Sequence, residues 1–291
     1  MPRALIAACA ALLLALPAAA QAPLPGVVGA DDRHIVEPRE YPWSAIGRLN
    51  TEIGQRCTGT LIGPRLVATA AHCLYNRRTG RPLRPESVHF LAGYARGAYV
   101  ATARAVAIRR GADGPPGDAA RDWALVTLEA PLGERVGWIG AAALNGPGIV
   151  AAARGAVVLR AGYGQDRPHL PMAVLGCHVL GAGAGGALVA HDCDAVRGDS
   201  GSPLLLLKDG ELRLVAIHSG HRGRGETVAG IAVATAALRT AAGDPPASHP
   251  PARATGIDPV PTVTVRALAQ RLRRPPPPPS LAALERLLRA P

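Results

Sequence analysis

Short apolar runs, each closed within a few residues by glycine, proline or asparagine, limit what this chain can fold into. Residues 43–49, 57–62, 66–70, 88–92, 103–108 and 123–128 are such runs, separated by signals such as Asn50, Gly54 and Gly63-Pro64. A second set lies at 156–161, 174–180, 203–207, 212–217 and 228–233. Apolar or alternating segments of this length, bounded by turn formers, read as strands, and many of them at short intervals predict an all-β sandwich or barrel. With 291 residues and 48% hydrophobic content, the chain can bury one large or two small cores.

Three segments inside this body carry chemistry: Thr69-Ala70-Ala71-His72-Cys73, Arg121-Asp122-Trp123-Ala124-Leu125 and Gly198-Asp199-Ser200-Gly201-Ser202-Pro203. They supply a base, an orienting acid and a nucleophile, which need only converge in space. The order His, Asp, Ser is itself informative, because unrelated hydrolase scaffolds present the same groups in other orders. The first and third segments resemble the chymotrypsin/trypsin family of serine peptidases, closest to its bacterial V8-like, glutamyl endopeptidase-like branch, over roughly residues 35–240. Ser202, where the trypsin branch commonly has glycine, is one reason for that placement.

The resemblance implies two six-stranded antiparallel Greek-key β-barrels with the active site in the cleft between them. His72 and Asp122 would come from the first barrel and Ser200 from the second. It implies a monomeric endopeptidase that takes protein or peptide substrates through an acyl-enzyme, with no cofactor and no metal. The Gly198 and Ser200 amides would form the oxyanion hole. Asp122 is preferred to nearby Asp113 and Asp118 because the family sets its acid directly before an apolar strand, here 123–128. For the substrate pocket three preferences stay open, basic, acidic and small or mixed, with Asp194 as a simple turn cap the plain alternative. Asp194, six residues before Ser200, occupies the place where trypsin-type enzymes bind Arg or Lys, so a basic preference comes first. His218, with Ser219 and Gly220 beside it, resembles the arrangement that faces acidic side chains in glutamyl peptidases; Ser219 and Gly220 also offer backbone to an extended substrate. Asp199 needs a partner if buried. In the trypsin branch that partner is a freed Ile or Val terminus, here Val27 or Ile35, so residues 21–26 would be a propeptide of a zymogen, trimmed to expose Val27.

The ends of the chain are of different composition. Residues 1–20 run from Arg3 through an apolar stretch to Pro17-Ala18-Ala19-Ala20, the pattern of a signal peptide, too short in its apolar part to be a stable membrane span. A secreted or periplasmic protein follows from that. Cys9 leaves with the signal, and an even set of Cys57, Cys73, Cys177 and Cys193 remains, formally open to three disulfide pairings. The family's bridge beneath the catalytic histidine would pair Cys57 with Cys73 and leave Cys177 to Cys193. Of 32 basic residues all but Lys208 are arginine, giving a net charge of +11. That charge favours solubility or anionic partners, yet 3% aromatic content lacks the interleaving that nucleic-acid binding uses. Residues 21–34 form an amino-terminal segment, 35–243 the peptidase domain, and 244–291 a Pro/Arg-rich, mostly flexible tail with 12 of the 28 prolines. The competing reading is a catalytically silent protein of the same fold that binds an anionic or surface partner.

Overall fold

The computed structural model describes residues 24–111, 117–223, 228–243 and 246–251. The expected signal peptide, Asp113 and the tail beyond residue 251 lie outside these residues. Six strands, β2 (Ile46–Thr51), β3 (Arg56–Leu61), β4 (Leu66–Thr69), β5 (Val88–Ala92), β6 (Ala101–Arg110) and β7 (Ala124–Leu128), close into a barrel in the order β2-β3-β4-β7-β6-β5. Every pairing in it is antiparallel. The period-2 pattern is plain in β5 and β6, where Val88, Phe90, Ala92, Ala101, Ala103 and Ala105 are buried between more exposed neighbours. Phe90, the chain's single phenylalanine, packs in the core with Leu49, Leu61, Val67 and Leu128, its ring lying where a side chain at Gly47 would stand, 2.5 Å away.

The second body is a curled eight-stranded sheet built of β1 (His34–Ile35), β8 (Val157–Gly162), β9 (Met172–Cys177), β10 (Val179–Gly183), β11 (Leu188–His191), β12 (Pro203–Lys208), β13 (Glu211–Arg222) and β14 (Ala229–Ala234). Its order is β1-β9-β8-β12-β13-β14-β11-β10. The all-β, two-body architecture is as expected; the second body is a curled ladder of eight strands with β1 at one end, beside β9, and β10 at the other. The Cys177–Cys193 disulfide ties the end of β9 to the residues after β11, and Cys57–Cys73 ties β3 to the turn after β4. Both bridges match the expected pairing.

Three short helices were not legible as such: α1 (Leu132–Val136), α2 (Gly146–Ala153) and α3 (Ala236–Ala242). α2 opens on Gly-Pro-Gly, which reads as loop, yet Asn145 caps it by accepting from the Gly148 amide at 3.0 Å and Pro147 is well placed in a first turn. The chain does not leave the body at residue 243. His249 forms a two-way backbone bridge with Trp138 (2.9 Å each way) and stacks on its indole at 4.3 Å, while Ser248 Oγ accepts from the Gly140 amide and donates to Leu212 O. Among the described residues no helix is long and apolar enough to cross a membrane.

Candidate active site

The turn Ala71–Leu74 follows β4 directly, and its residue His72 is held from three sides. Its amide donates to Asp122 Oδ1 at 2.8 Å, its Nδ1 lies 2.7 Å from Asp122 Oδ2, and its carbonyl accepts from Gln55 Nε2 at 3.0 Å. Since a carboxylate only accepts, the Nδ1 contact places the imidazole proton on Nδ1 and leaves Nε2 with its lone pair free. Asp122 ends a short turn whose start is capped by Asp118, through the Ala120 amide at 2.9 Å. Asp118 is therefore spent locally, and Asp122, 3% exposed, is the acid that meets the histidine. Burial pushes the Asp122 carboxyl up, but the hydrogen bond and charge of His72 and the hydroxyl of Ser219 outweigh it and hold the group below the usual carboxylate range.

Ser219 reaches Asp122 because of a break in the sheet. The β13–β14 register shifts between His218 and Gly220, so Ser219 is the extra residue of a bulge, and its Oγ turns out of the ladder to donate to Asp122 Oδ2.

Ser200 sits on the opposite wall. Its carbonyl accepts from the Thr58 amide of β3 at 2.9 Å and lies 3.8 Å from Cys73 Sγ, so the turn carrying it rests on the disulfide beside His72. Gly201 makes that approach possible: with φ of +84°, a side chain there would fall 2.2 Å from Thr58 O and Thr69 Oγ1. Gly198, at φ +101°, similarly has no room for a side chain against Tyr163 O, 2.7 Å away. Two backbone bonds of 2.8 Å, Gly201 N to His218 O and His218 N to Ser202 O, fix the same turn to β13.

Asp199 is buried, as expected, but its partner is not an amino terminus. Arg160, in the middle of the apolar strand β8, lies 3.0 Å from Asp199 Oδ1 through Nη1, with both side chains at 1% exposure or less. The pair is imperfectly aligned: among the described residues Oδ1 accepts no well-directed hydrogen bond, and Arg160 Nε and Nη2 have no partner. Nη1 donates to Ser202 Oγ at 3.1 Å, and Asp199 Oδ2 accepts from the Val196 amide at 2.9 Å. In the uncleaved chain Asp199 thus has a partner other than the freed terminus expected at Val27 or Ile35. Ile35 is exposed in β1, paired with Met172, and the Val27 amide bonds to Leu24 O. An arginine supplied by β8 makes the ion pair without chain cleavage.

Asp194 is also placed differently from expectation. It is buried, and its two oxygens accept from the amides of Val28 (2.7 Å) and Asp32 (2.9 Å), which turns it toward the amino-terminal segment. Burial raises its pKa, against the lowering effect of those amides. The segment continues across the neighbouring residue, where Ala195 N donates to Gly26 O at 3.0 Å, and a side chain at Gly26 would lie 2.5 Å from His221 Nε2.

His218 is buried beneath Ser219, and its Nδ1 lies 3.1 Å from His191 Nε2. Burial holds His218 well below the usual histidine range, with His191, Arg160, His221 and His72 adding to the effect, and pushes His191 down to about 3. Arg160 and His191 were not singled out in sequence. The signal was present in both: a cation within Val157-Val158-Leu159-Arg160-Ala161 and a histidine ending Leu188-Val189-Ala190-His191, each a polar group in a strand with no exposed face. The sulfurs nearest His72 and Asp192 are all in disulfides, so neither place offers a thiolate for a metal.

Comparison with known proteins bears on the family and the fold. The family profile described as Trypsin matches residues 32–241. A curated relative, the glutamyl endopeptidase of Bacillus licheniformis, is 43% identical over 65 residues, a stretch that covers 22% of this chain and 20% of the relative. A solved structure titled as a Glu endopeptidase in complex with MPD superposes with a TM-score of 0.57 at 21% identity, covering 74% of this chain and 96% of that one.

Proposed function

The chain belongs to the trypsin family, and from that premise we propose that it is an exported serine endopeptidase that cleaves peptide bonds through Ser200, His72 and Asp122. The observation that carries this reading is the 2.7 Å contact of His72 with a buried Asp122, beside the turn that bears Ser200. In the reaction His72 Nε2 takes the Ser200 proton as Oγ attacks the substrate carbonyl, and Asp122 stabilises the imidazolium that forms. The amides of Gly198 and Ser200 receive the oxyanion, worth roughly 10²–10³ in turnover for one donor. Collapse of the tetrahedral intermediate passes the proton from His72 to the leaving amine and leaves an acyl-Ser200, which water hydrolyses by the same route in reverse. The two disulfides support export, since such bridges persist in oxidising compartments.

For the residue whose carbonyl is attacked, the reading is an acidic side chain, in place of the basic preference that Asp194 suggested. Both Asp194 oxygens are already engaged by backbone amides, so this carboxylate is not free to meet a substrate cation. The histidines at 218 and 221 flank the same region, and the name of the Bacillus relative points the same way. A peptide library digested with the purified protein tests both levels: cleavage after Glu or Asp, lost in Ser200→Ala, is expected. Cleavage after Arg or Lys would overturn the acidic preference, and cleavage unchanged in Ser200→Ala would overturn the mechanism.

A further inference from the structure

The cleft beside Ser200 carries charge that hydrolysis itself does not use. A groove of about 610 Å³ opens from Gly198 and Ser200 and runs over the β2–β3 hairpin and the turn after His72. Arg56, Arg77, Arg78 and Arg197 line it, all four are exposed, and among the described residues no carboxylate lines it. None of the four guanidinium groups is in an ion pair among the described residues. Some arginines elsewhere do find acids: Arg33 clamps Asp31 and Asp166, Arg160 meets Asp199, Arg104 meets Glu129 and Arg213 meets Glu211. Asp166, the acid next to the groove's Gln165, is therefore already held by Arg33. The turn that presents Arg77 and Arg78 is built, with Asn76 Oδ1 accepting from the Arg78 amide at 2.9 Å and Asn76 O from Gly80 N at 2.8 Å.

A second, smaller space on the other side of His72 is lined by Ser219, Gly220 and His221. There the edge of β13 offers backbone to the acyl half of an extended substrate. The chain on the far side of the scissile bond must leave Ser200 in the opposite direction, which takes it into the arginine-lined groove.

We propose that this groove holds the leaving-group half of the substrate and selects acidic side chains in the first three residues after the scissile bond. The inference rests on Ser200 being the nucleophile. Three extended residues span about 10 Å, enough to bring their side chains past several of the four cations. A concave surface of one charge sign concentrates its field on an anionic segment, and a guanidinium can grip a carboxylate through two donors at once.

The test uses internally quenched peptides with one common acyl half and Asp/Glu, Ala or Lys in the three positions after the bond, together with an ester of that acyl half. Each exposed pair is individually weak, so the acidic peptide is expected to exceed the alanine one in kcat/KM by about fivefold, with the lysine peptide lower still. The spread should shrink in high salt, and Arg77→Glu/Arg78→Glu should reverse its order. Equal kcat/KM for the three peptides, or an order unchanged in the double variant, overturns the inference while ester hydrolysis shows that the serine is active. If neither the ester nor any peptide is cleaved and Ser200 takes up no fluorophosphonate, the hydrolase reading fails and this inference falls with it.

Discussion

Replacing Arg160 by Met removes one member of a fully buried ion pair, together with its hydrogen bond to Ser202 Oγ. Arg160 Nη1 is 3.0 Å from Asp199 Oδ1, and after the change the carboxylate keeps only the Val196 amide, on its other oxygen. A buried charge orphaned in this way costs about 3–5 kcal/mol, against a total stability of roughly 5–15 kcal/mol for a domain. Met fills much of the volume, so the loss reports the charge more than a cavity. Because Asp199 stands between Gly198 and Ser200, the reaction of Ser200 should slow as well. Urea unfolding, with the rate of fluorophosphonate uptake, reads both effects. Adding Asp199→Asn, which can still accept from the Val196 amide, should recover part of the stability. A loss of less than about 1 kcal/mol with unchanged labelling would refute the reasoning that this pair holds the oxyanion turn.

Other outcomes follow from the same geometry. Ser219→Ala removes one hydrogen bond to the Asp122 carboxylate, worth up to about 1.5–3 kcal/mol of stability for a charged acceptor, so the urea midpoint should fall and kcat/KM should drop as Asp122 loses an anchor; an unaltered rate would deny Ser219 a positioning role. Gly201→Ala places a carbon 2.2 Å from Thr58 O at a positive φ and should destabilise by about 2 kcal/mol or more, seen as a lower urea midpoint. His191 and His218 are neutral when folded and have pKa values below those of the unfolded chain, so their contribution is complete above about pH 6.5 and is lost as the pH falls. Each should add a slope approaching about 1.4 kcal/mol per pH unit in the acid range, and a flat stability profile from pH 7 to 5 would contradict their burial as neutral rings.

Much of the fold was legible because strands of alternating burial leave a periodic trace, as Val88 to Ala92 does, and because turn formers mark their ends. The two-residue strand β1 and the Gly-Pro-Gly start of α2 leave no such trace; the first has no period to read and the second is fixed by one cap. At the candidate site, His72, Asp122 and Ser200 were found through local motifs. What escaped was pairing at long range. Nothing near Asp199 names Arg160, 39 positions earlier, and nothing near Asp194 reveals that the amides of Val28 and Asp32 take its oxygens. A motif records which group is present, whereas the partner that satisfies a buried charge is chosen by the packing of distant strands. The lone cation and lone histidine inside β8 and β11 were the available hints.

The central claim is that Ser200 is an activated nucleophile, and covalent labelling tests it most directly. The purified protein, treated with a fluorophosphonate and digested for mass spectrometry, should carry the adduct on Ser200, with none in Ser200→Ala and labelling slowed by orders of magnitude in His72→Ala. An unlabelled Ser200 in folded, disulfide-intact protein, or an adduct formed equally fast without His72, would contradict the account.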